Sequence, residues 1–251
     1  MFSFGKLRAV TAISVVALAV AGCGGSNAAA PASAPAFADG ANLYSDFTSL
    51  SDGPAPMTFD SGQPASVAPV LDPTMQLRVL DGKLTYSPAS PGQAAGYFRT
   101  PDLGRPIRRI GMEWTVRPGT AGPGIAAMGI TSAPMDAIRP DNSPMALHLV
   151  IQRDGWGYSV SPGTLPGDPQ LIMLRSGTFE PKLLEDGTTV YRAEVRIDGP
   201  HATLSLPDGT EVTVSDSRIA AWAGRFGFFE VFSESGSNDG KVGLVRVWAE
   251  A

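Results

Sequence analysis

Turn dipeptides constrain the fold of this chain more than any other feature of its sequence. Asp-Gly occurs eight times, against about two copies expected by chance from the frequencies of the two residues. The dipeptide favours the tight turns that join neighbouring antiparallel strands. One copy, Asp81-Gly82, separates two short runs of alternating residues, 77–80 and 83–86. This pattern predicts a β-hairpin over residues 77–86.

Longer segments of the chain also alternate between apolar and polar residues. The pattern is clear over residues 110–116, where Trp114 is an expected core residue, and over 147–151 and 191–197. A period of two indicates strands with one packed and one more polar face. Only residues 217–222 favour a short turn of helix. The sequence therefore predicts an all-β fold, an antiparallel β-sandwich of the jelly-roll kind, with residues 43–251 as a single domain.

The N-terminus has the order of features that is typical of an exported protein. Lys6 and Arg8 precede an apolar run over residues 9–21, which is too short to cross a bilayer comfortably as a helix. The run ends in Val-Ala-Gly-Cys, and Cys23 is the only cysteine, so it has no partner for an internal disulfide. The segment resembles the lipobox of bacterial lipoproteins, which implies that Cys23 becomes lipidated. A signal peptide cut before an incidental cysteine is the alternative.

These features predict three segments and a location. Residues 1–22 are expected to be a lipoprotein signal peptide, and residues 23–42, which are rich in Ala, Pro and Ser, a flexible linker. The domain is then expected outside the cytoplasm, held at the outer face of the cell membrane by the lipid on Cys23. The excess of Arg over Lys, with abundant Ala, Gly and Pro, favours a GC-rich genome such as that of an actinobacterium.

The charge balance argues against nucleic acid as a partner. The chain has 19 basic and 24 acidic residues, a net charge of -5. Loss of residues 1–22 removes two basic residues and leaves 17 minus 24, or -7. A surface of this sign repels phosphate backbones.

The order of the predicted strands resembles the concanavalin A-like lectin and glucanase superfamily. The segments that carry the resemblance are YFRTPDLG, GMEW, LHLVIQRDGWGYSV, YRAEVRIDG, ATLSLPDGTEVTV, GFFEVF and KVGLVRVWAE. The resemblance implies two curved sheets whose concave face binds saccharides, with calcium in some members and hydrolytic carboxylates in others. A fold alone transfers neither activity.

One segment has candidate catalytic residues. Glu230 and Glu234 match the outer positions of the Glu-x-Asp-x-Glu pattern of retaining glucanases, but Phe232 stands where the central acid is expected. Residues i and i+4 of a strand point the same way, as a pair of catalytic carboxylates requires. The structural alternative for Glu230 is an ion pair with an arginine of a neighbouring strand, namely Arg192, Arg196 or Arg246.

The polar faces of the predicted strands supply candidate ligand-binding residues. If these faces line one concave sheet, six residues form a surface that can hydrogen-bond to sugar hydroxyls: His148, Gln152, Glu194, Glu230, Arg246 and Trp248. Trp156 and Tyr158 follow the Asp154-Gly155 turn, where exposed platforms for sugar rings are one expectation and a small aromatic core is the alternative. With only two histidines, a zinc site lacks ligands. Calcium binding through loops at Asp52 or at Asn238 and Asp239 is a weaker expectation, because no EF-hand spacing occurs.

Three classes of function follow from these observations. A non-catalytic module that binds cell-envelope polysaccharide is favoured. A glycoside hydrolase or lyase that uses Glu230 is the second possibility. A structural or interaction lipoprotein without a small ligand is the third, and it is expected if Phe226, Phe228 and Phe232 fill the concave face.

Overall fold

The computed structural model of this chain describes residues 41–69, 76–87, 94–118, 124–134, 146–161, 172–233 and 241–251. Its sixteen strands, in chain order, are β1 Leu43–Asp46, β2 Gly53–Pro54, β3 Ser66–Pro69, β4 Gln76–Leu80, β5 Lys83–Ser87, β6 Ala94–Arg99, β7 Arg109–Val116, β8 Gly124–Thr131, β9 Ala146–Ile151, β10 Gly155–Ser161, β11 Ile172–Thr178, β12 Tyr191–Asp198, β13 His201–Ser205, β14 Glu211–Ser215, β15 Phe226–Ser233 and β16 Val242–Glu250. A 3-10 turn covers Phe47–Ser49, and α1 covers Ser217–Trp222. The predicted signal peptide and most of the predicted linker, including Cys23, lie outside the described residues.

The strands form two antiparallel sheets that pack into a β-sandwich, which confirms the predicted all-β jelly-roll architecture. The nine-stranded sheet has the order β14-β13-β12-β7-β16-β5-β4-β2, with β1 paired to β16 beside β5. The seven-stranded sheet has the order β11-β10-β9-β8-β15-β6-β3. Sequence neighbours are joined by hairpins, but β15 lies between β8 and β6, and β16 lies between β7 and β5. Late strands therefore complete the centre of each sheet.

The hairpin predicted around Asp81-Gly82 is present. β4 pairs with β5 from Gln76 opposite Ser87 to Leu80 opposite Lys83. Asp81 and Gly82 have φ angles of 51° and 66°, the left-handed backbone that a two-residue hairpin turn requires. The predicted helix is also present as α1, and the Asp216 side chain caps it by accepting a hydrogen bond from the Arg218 backbone N–H.

The apolar face of each sheet is turned toward the other and forms one core. The nine-stranded sheet contributes residues such as Met112, Trp114 and Val195, and the seven-stranded sheet contributes Leu149 and Phe229, all buried. The alternation predicted for residues 110–116, 147–151 and 191–197 is thus confirmed, with Trp114 in the core. Every second residue of these strands points out of the sandwich. Among the described residues, no helix is long and apolar enough to cross a membrane.

Candidate functional site

A cluster of four side chains lies on the outer face of the seven-stranded sheet. In β15, Glu230 is registered between Tyr97 of β6 and Ala127 of β8. Two residues earlier, Phe228 is opposite Gly129 of β8, and Gly129 is in turn opposite His148 of β9. The neighbours of these residues in each strand, such as Phe229 and Leu149, point into the core. Tyr97, His148, Phe228 and Glu230 are called the Glu230 cluster below.

Phe228 is the centre of the cluster. Its ring centroid lies 4.8 Å from that of Tyr97 and 5.3 Å from that of His148, in tilted arrangements. A Cβ atom at Gly129 would lie 2.4 Å from two carbon atoms of the Phe228 ring. The ring can therefore lie over β8 only because residue 129 has no side chain.

The polar pair of the cluster is formed by His148 and Glu230. His148 Nε2 lies 3.2 Å from Glu230 Oε2. Glu230 is only 8% exposed, and no described residue donates a hydrogen bond to its carboxylate. Burial raises the pKa of the Tyr97 hydroxyl, and the negative charge of Glu230 raises it further. A carboxylate this deeply buried is normally supplied with several donors, so it has unused capacity to accept hydrogen bonds.

An apolar strip borders the polar pair. Val150 and Phe232 are half-buried on the same outer face, and Met173 of the edge strand β11 is 53% exposed. The Met173 methyl group covers Gly157, where an added Cβ would lie 2.9 Å from it. Partly accessible apolar groups beside a hydrogen-bonding pair are suited to contact a ligand that is polar at its edges and apolar on its faces.

Charged residues are scarce on the seven strands. Glu230 is the only acidic residue in them, and Arg99 and Arg175 are the only Lys or Arg residues. Arg99 reaches away from Glu230, because its Nε donates to Ser66 of β3, on the far side of β6 from β15. Arg175 is exposed in the edge strand and is registered with the core residue Tyr158.

The outer face of the nine-stranded sheet has a different character. Glu194 is 2% exposed and accepts hydrogen bonds from Arg196 Nε at 2.7 Å and Trp248 Nε1 at 3.0 Å. Arg109 Nε lies 2.9 Å and Arg192 Nη2 lies 3.5 Å from the same carboxylate. Burial alone would raise the pKa of Glu194, but these hydrogen bonds and the charge of Arg109 hold it below its ordinary value. This acid is fully satisfied by its neighbours.

Trp248 and Arg246 belong to the same network. The Trp248 ring lies over Gly111, where a Cβ atom would be 2.3 Å from a ring carbon, and the Arg192 guanidinium carbon lies 4.5 Å from the ring centroid. Arg246 contacts Asp46 at 2.8 Å and Glu113 at 3.2 Å. The network joins β1, β7, β12 and β16 and has a structural role.

The prediction that six candidate residues share one surface is wrong. His148 and Glu230 lie together on the seven-stranded sheet, whereas Glu194, Arg246 and Trp248 lie on the outer face of the other sheet. The polar faces of a sandwich point outward on opposite sides, and the sequence does not say to which sheet a strand belongs. The proposed ion pair of Glu230 with Arg192, Arg196 or Arg246 is wrong for the same reason.

The expectation of exposed aromatic platforms at Trp156 and Tyr158 is also wrong. Tyr158 is buried in the core, and Trp156 is half-buried against Gly177 and the core. Both share the face of Val160, which points inward. Gln152 is half-buried just after β9, and its backbone N–H closes the turn by donating to the Gly155 carbonyl oxygen at 2.8 Å.

The structure places none of the remaining candidates, Asp52, Glu234, Asn238 and Asp239, in a metal or catalytic site formed by described residues. Asp52 accepts a hydrogen bond from the Asp81 backbone N–H, which fixes the β4–β5 turn. Glu234, Asn238 and Asp239 lie outside the described residues, so their predicted roles stay predictions. Within the described ranges, no group of three or more His, Cys, Asp or Glu residues could hold a metal ion.

Tyr97 belongs to the cluster but was not among the residues predicted from the sequence. Its alternation with Phe98 in the segment YFRT could have placed it on the face opposite the core.

No protein-family model and no curated protein sequence matches this chain. Solved structures do match it in fold. A galectin-like protein of unknown function from Bacillus subtilis is 14% identical, with a TM-score of 0.53, and the match covers 83% of this chain and 98% of that one. LamAcat from Zobellia galactanivorans is 7% identical, with a TM-score of 0.52 and coverage of 85% and 98%. The CBM2 module of the evolved Dit of Lactobacillus casei BL23 phage J-1 is 13% identical, with a TM-score of 0.51 and coverage of 83% and 94%. The chain therefore has a lectin and glucanase type of jelly-roll fold.

Proposed function

We propose that this protein is an extracytoplasmic lipoprotein whose sandwich domain binds a cell-envelope polysaccharide at the Glu230 cluster without cleaving it. The observation that carries the proposal is the Glu230 carboxylate, which is nine-tenths buried yet receives no hydrogen bond from a described residue. The Glu230 oxygens are not among the fully buried, unpaired side-chain atoms of the described residues, so a ligand can reach them. Sugar hydroxyls are donors that can supply the missing hydrogen bonds. The half-buried Val150 and Phe232 supply apolar surface for the C–H faces of a sugar ring.

The fold neighbours support the same kind of ligand. One of them is a LamA variant from Zobellia galactanivorans in complex with laminaritriose and laminaritetraose, with a TM-score of 0.52 and 7% identity. Another is named as the CBM2 module of a phage protein. These names describe those proteins, and they favour carbohydrate as the first class of ligand to test on this chain.

Binding without cleavage is favoured because the strands of the seven-stranded sheet carry only one carboxylate. A retaining glycosidase needs two carboxyl groups about 5 Å apart. On the strands of the seven-stranded sheet Glu230 stands alone, and within the described residues its polar partner is His148. Hydrolysis would need a second carboxyl group beside Glu230, and Glu234 is the candidate that the sequence offers.

A structural lipoprotein without a small ligand is the second candidate function. The complete burial of Phe228 and the near-complete burial of Tyr97 favour it, because the centre of the face is packed by its own aromatic rings. The two functions differ in what Glu230 and His148 contribute. In the structural candidate, their replacement changes no binding.

Immobilised polysaccharides test the binding function. We expect the domain to bind at least one neutral cell-wall polysaccharide, and Glu230→Ala and His148→Ala each to weaken that binding by about tenfold, the worth of one good hydrogen bond to a charged group. Glu211→Gln is the matched control, because it removes one negative charge on the edge strand of the other sheet. Unchanged binding in both cluster variants would exclude this site. Release of reducing ends by the wild-type protein would show catalysis instead.

The anchoring function rests on the sequence around Cys23. We expect the mature protein to begin at a lipid-modified Cys23 and to be recovered with membranes, while Cys23→Ala is recovered in the soluble fraction. Intact mass spectrometry of the mature N-terminus measures the modification. A mature protein with an unmodified thiol would refute the anchor and leave the binding function standing.

A further inference from the structure

We infer that the Glu230 cluster selects a neutral, hydroxyl-bearing sugar and excludes the corresponding uronate. The inference deepens the proposed polysaccharide binding and rests on it. It follows from the charges that the cluster presents to a ligand, and it names the chemical class that the face accepts.

The Glu230 carboxylate has few basic side chains around it to compensate its negative charge. The basic side chain in contact with it is that of His148. Arg99 is registered opposite Phe228 on the same face, but its Nε donates to Ser66 of β3, on the far side of β6, and it has further contacts. By contrast, the negative charge of Glu194 is fully compensated, since three arginines and an indole N–H surround its carboxylate. A ligand carboxylate near Glu194 would find arginines already committed. Near Glu230 it would find the His148 imidazole, and an Arg99 side chain that is already engaged with Ser66.

A ligand carboxylate would therefore be repelled and poorly solvated at this site. Two like charges at contact distance repel more strongly in a partly buried environment than in water. A uronate would also lose hydration of its own carboxylate without gaining an ion pair. A neutral sugar avoids both costs, because its hydroxyl groups donate to the Glu230 oxygens and its C–H faces contact Val150 and Phe232.

The experiment compares each neutral polysaccharide with its own oxidised form. Polymers such as β-glucan, with free primary hydroxyl groups, are tested beside the same polymer oxidised at C6 to the uronate, so that the backbone and linkage stay constant. We expect the wild-type protein to bind the neutral polymer at least about tenfold more tightly than the oxidised one. In Glu230→Gln, which keeps an acceptor oxygen but loses the charge, this preference should shrink by about tenfold, mainly through tighter binding of the oxidised polymer.

Each outcome has a distinct meaning. Equal or tighter binding of the oxidised polymer by the wild-type protein overturns the selectivity and leaves polysaccharide binding in place. A preference that Glu230→Gln does not reduce overturns the role of Glu230. Absence of binding to every polymer, neutral or oxidised, removes the proposed function and this inference together. Glu211→Gln controls for the change in net charge and should preserve the wild-type preference.

Discussion

Replacing Glu194 by alanine should destabilise the domain far more than the same replacement at Glu230. Both carboxylates are nearly buried, but their partners differ. Loss of Glu194 leaves Trp248 Nε1 without its acceptor and takes from Arg109 Nε the carboxylate that lies 2.9 Å away. Loss of Glu230 removes a carboxylate that receives no hydrogen bond from a described residue.

The size of the effect can be worked from exposure. The Arg109 side chain is 16% exposed and cannot be well hydrated, whereas Arg196 is 55% exposed and can turn to water. An unpaired buried N–H and a lost hydrogen bond to a charged group each cost about 1–3 kcal/mol. Their sum, reduced by water that enters the vacated space, gives about 3 kcal/mol for Glu194→Ala, within the range for breaking a buried ion pair. The cost of Glu230→Ala should be below about 1 kcal/mol, because removing a mostly buried charge offsets the lost contact with His148 and the lost packing.

Urea unfolding followed by tryptophan fluorescence measures both free energies of unfolding. Thermal unfolding should agree, with a midpoint lowered by about 6–12 °C for Glu194→Ala in a domain of this size. Equal losses in the two variants would refute the reasoning, since they would mean that Glu230 is held by contacts as strong as those of Glu194. A cost below about 1 kcal/mol for Glu194→Ala would show that the arginine network is solvated and contributes little.

Three further perturbations have defined outcomes. Tyr158→Phe should preserve or raise the free energy of unfolding, because the buried hydroxyl has no partner among the described residues, whereas Tyr191→Phe should cost about 1 kcal/mol, since that hydroxyl bonds both the N–H and the carbonyl of Leu184. Gly224→Ala should cost about 3 kcal/mol or more in urea unfolding, because its Cβ would lie 1.7 Å from the Thr131 carbonyl oxygen, while the control Gly53→Ala, with no atom nearer than 4.0 Å, should be nearly neutral. The folded-state pKa of Glu194 is lowered from its ordinary value of 4.5, so its stabilisation is complete above that pH and is lost as pH falls through the folded value. Thermal midpoints should therefore fall below about pH 4.5 more steeply in the wild type than in Glu194→Ala, and parallel curves would contradict the assignment.

Local patterns predicted the parts of the fold that depend on neighbouring residues. Asp81-Gly82 specifies a hairpin turn by its own backbone preference, and the alternation in β7, β9 and β12 specifies which side chains are buried. These features need no knowledge of distant segments. For this reason the fold class and the core position of Trp114 could be read from the sequence.

The site could be predicted only in part, because it depends on which strands become neighbours. His148 and Glu194 occupy equivalent polar positions in their strands, yet they lie in different sheets. In β16 an irregularity between Leu244 and Arg246 shifts the alternation, so the sequence pattern alone does not place Trp248. Tyr158 was misjudged because the glycines on both sides of Trp156 indicated an exposed turn, although Tyr158 and Val160 share one buried face.

The pairing of β1 with β16 brings the two ends of the domain together. Leu43 is registered opposite Ala249, and the Ala251 backbone N–H lies 3.4 Å from the Asn42 side-chain oxygen. A short peptide could therefore connect residue 251 to residue 42 without strain, and new ends could be opened at the Asp208-Gly209 turn of the β13–β14 hairpin. Such a circularly permuted protein should keep both sheets. Its new ends would lie in the β13–β14 hairpin at the edge of the nine-stranded sheet, so the permuted domain can be coupled to a sensor surface through that edge.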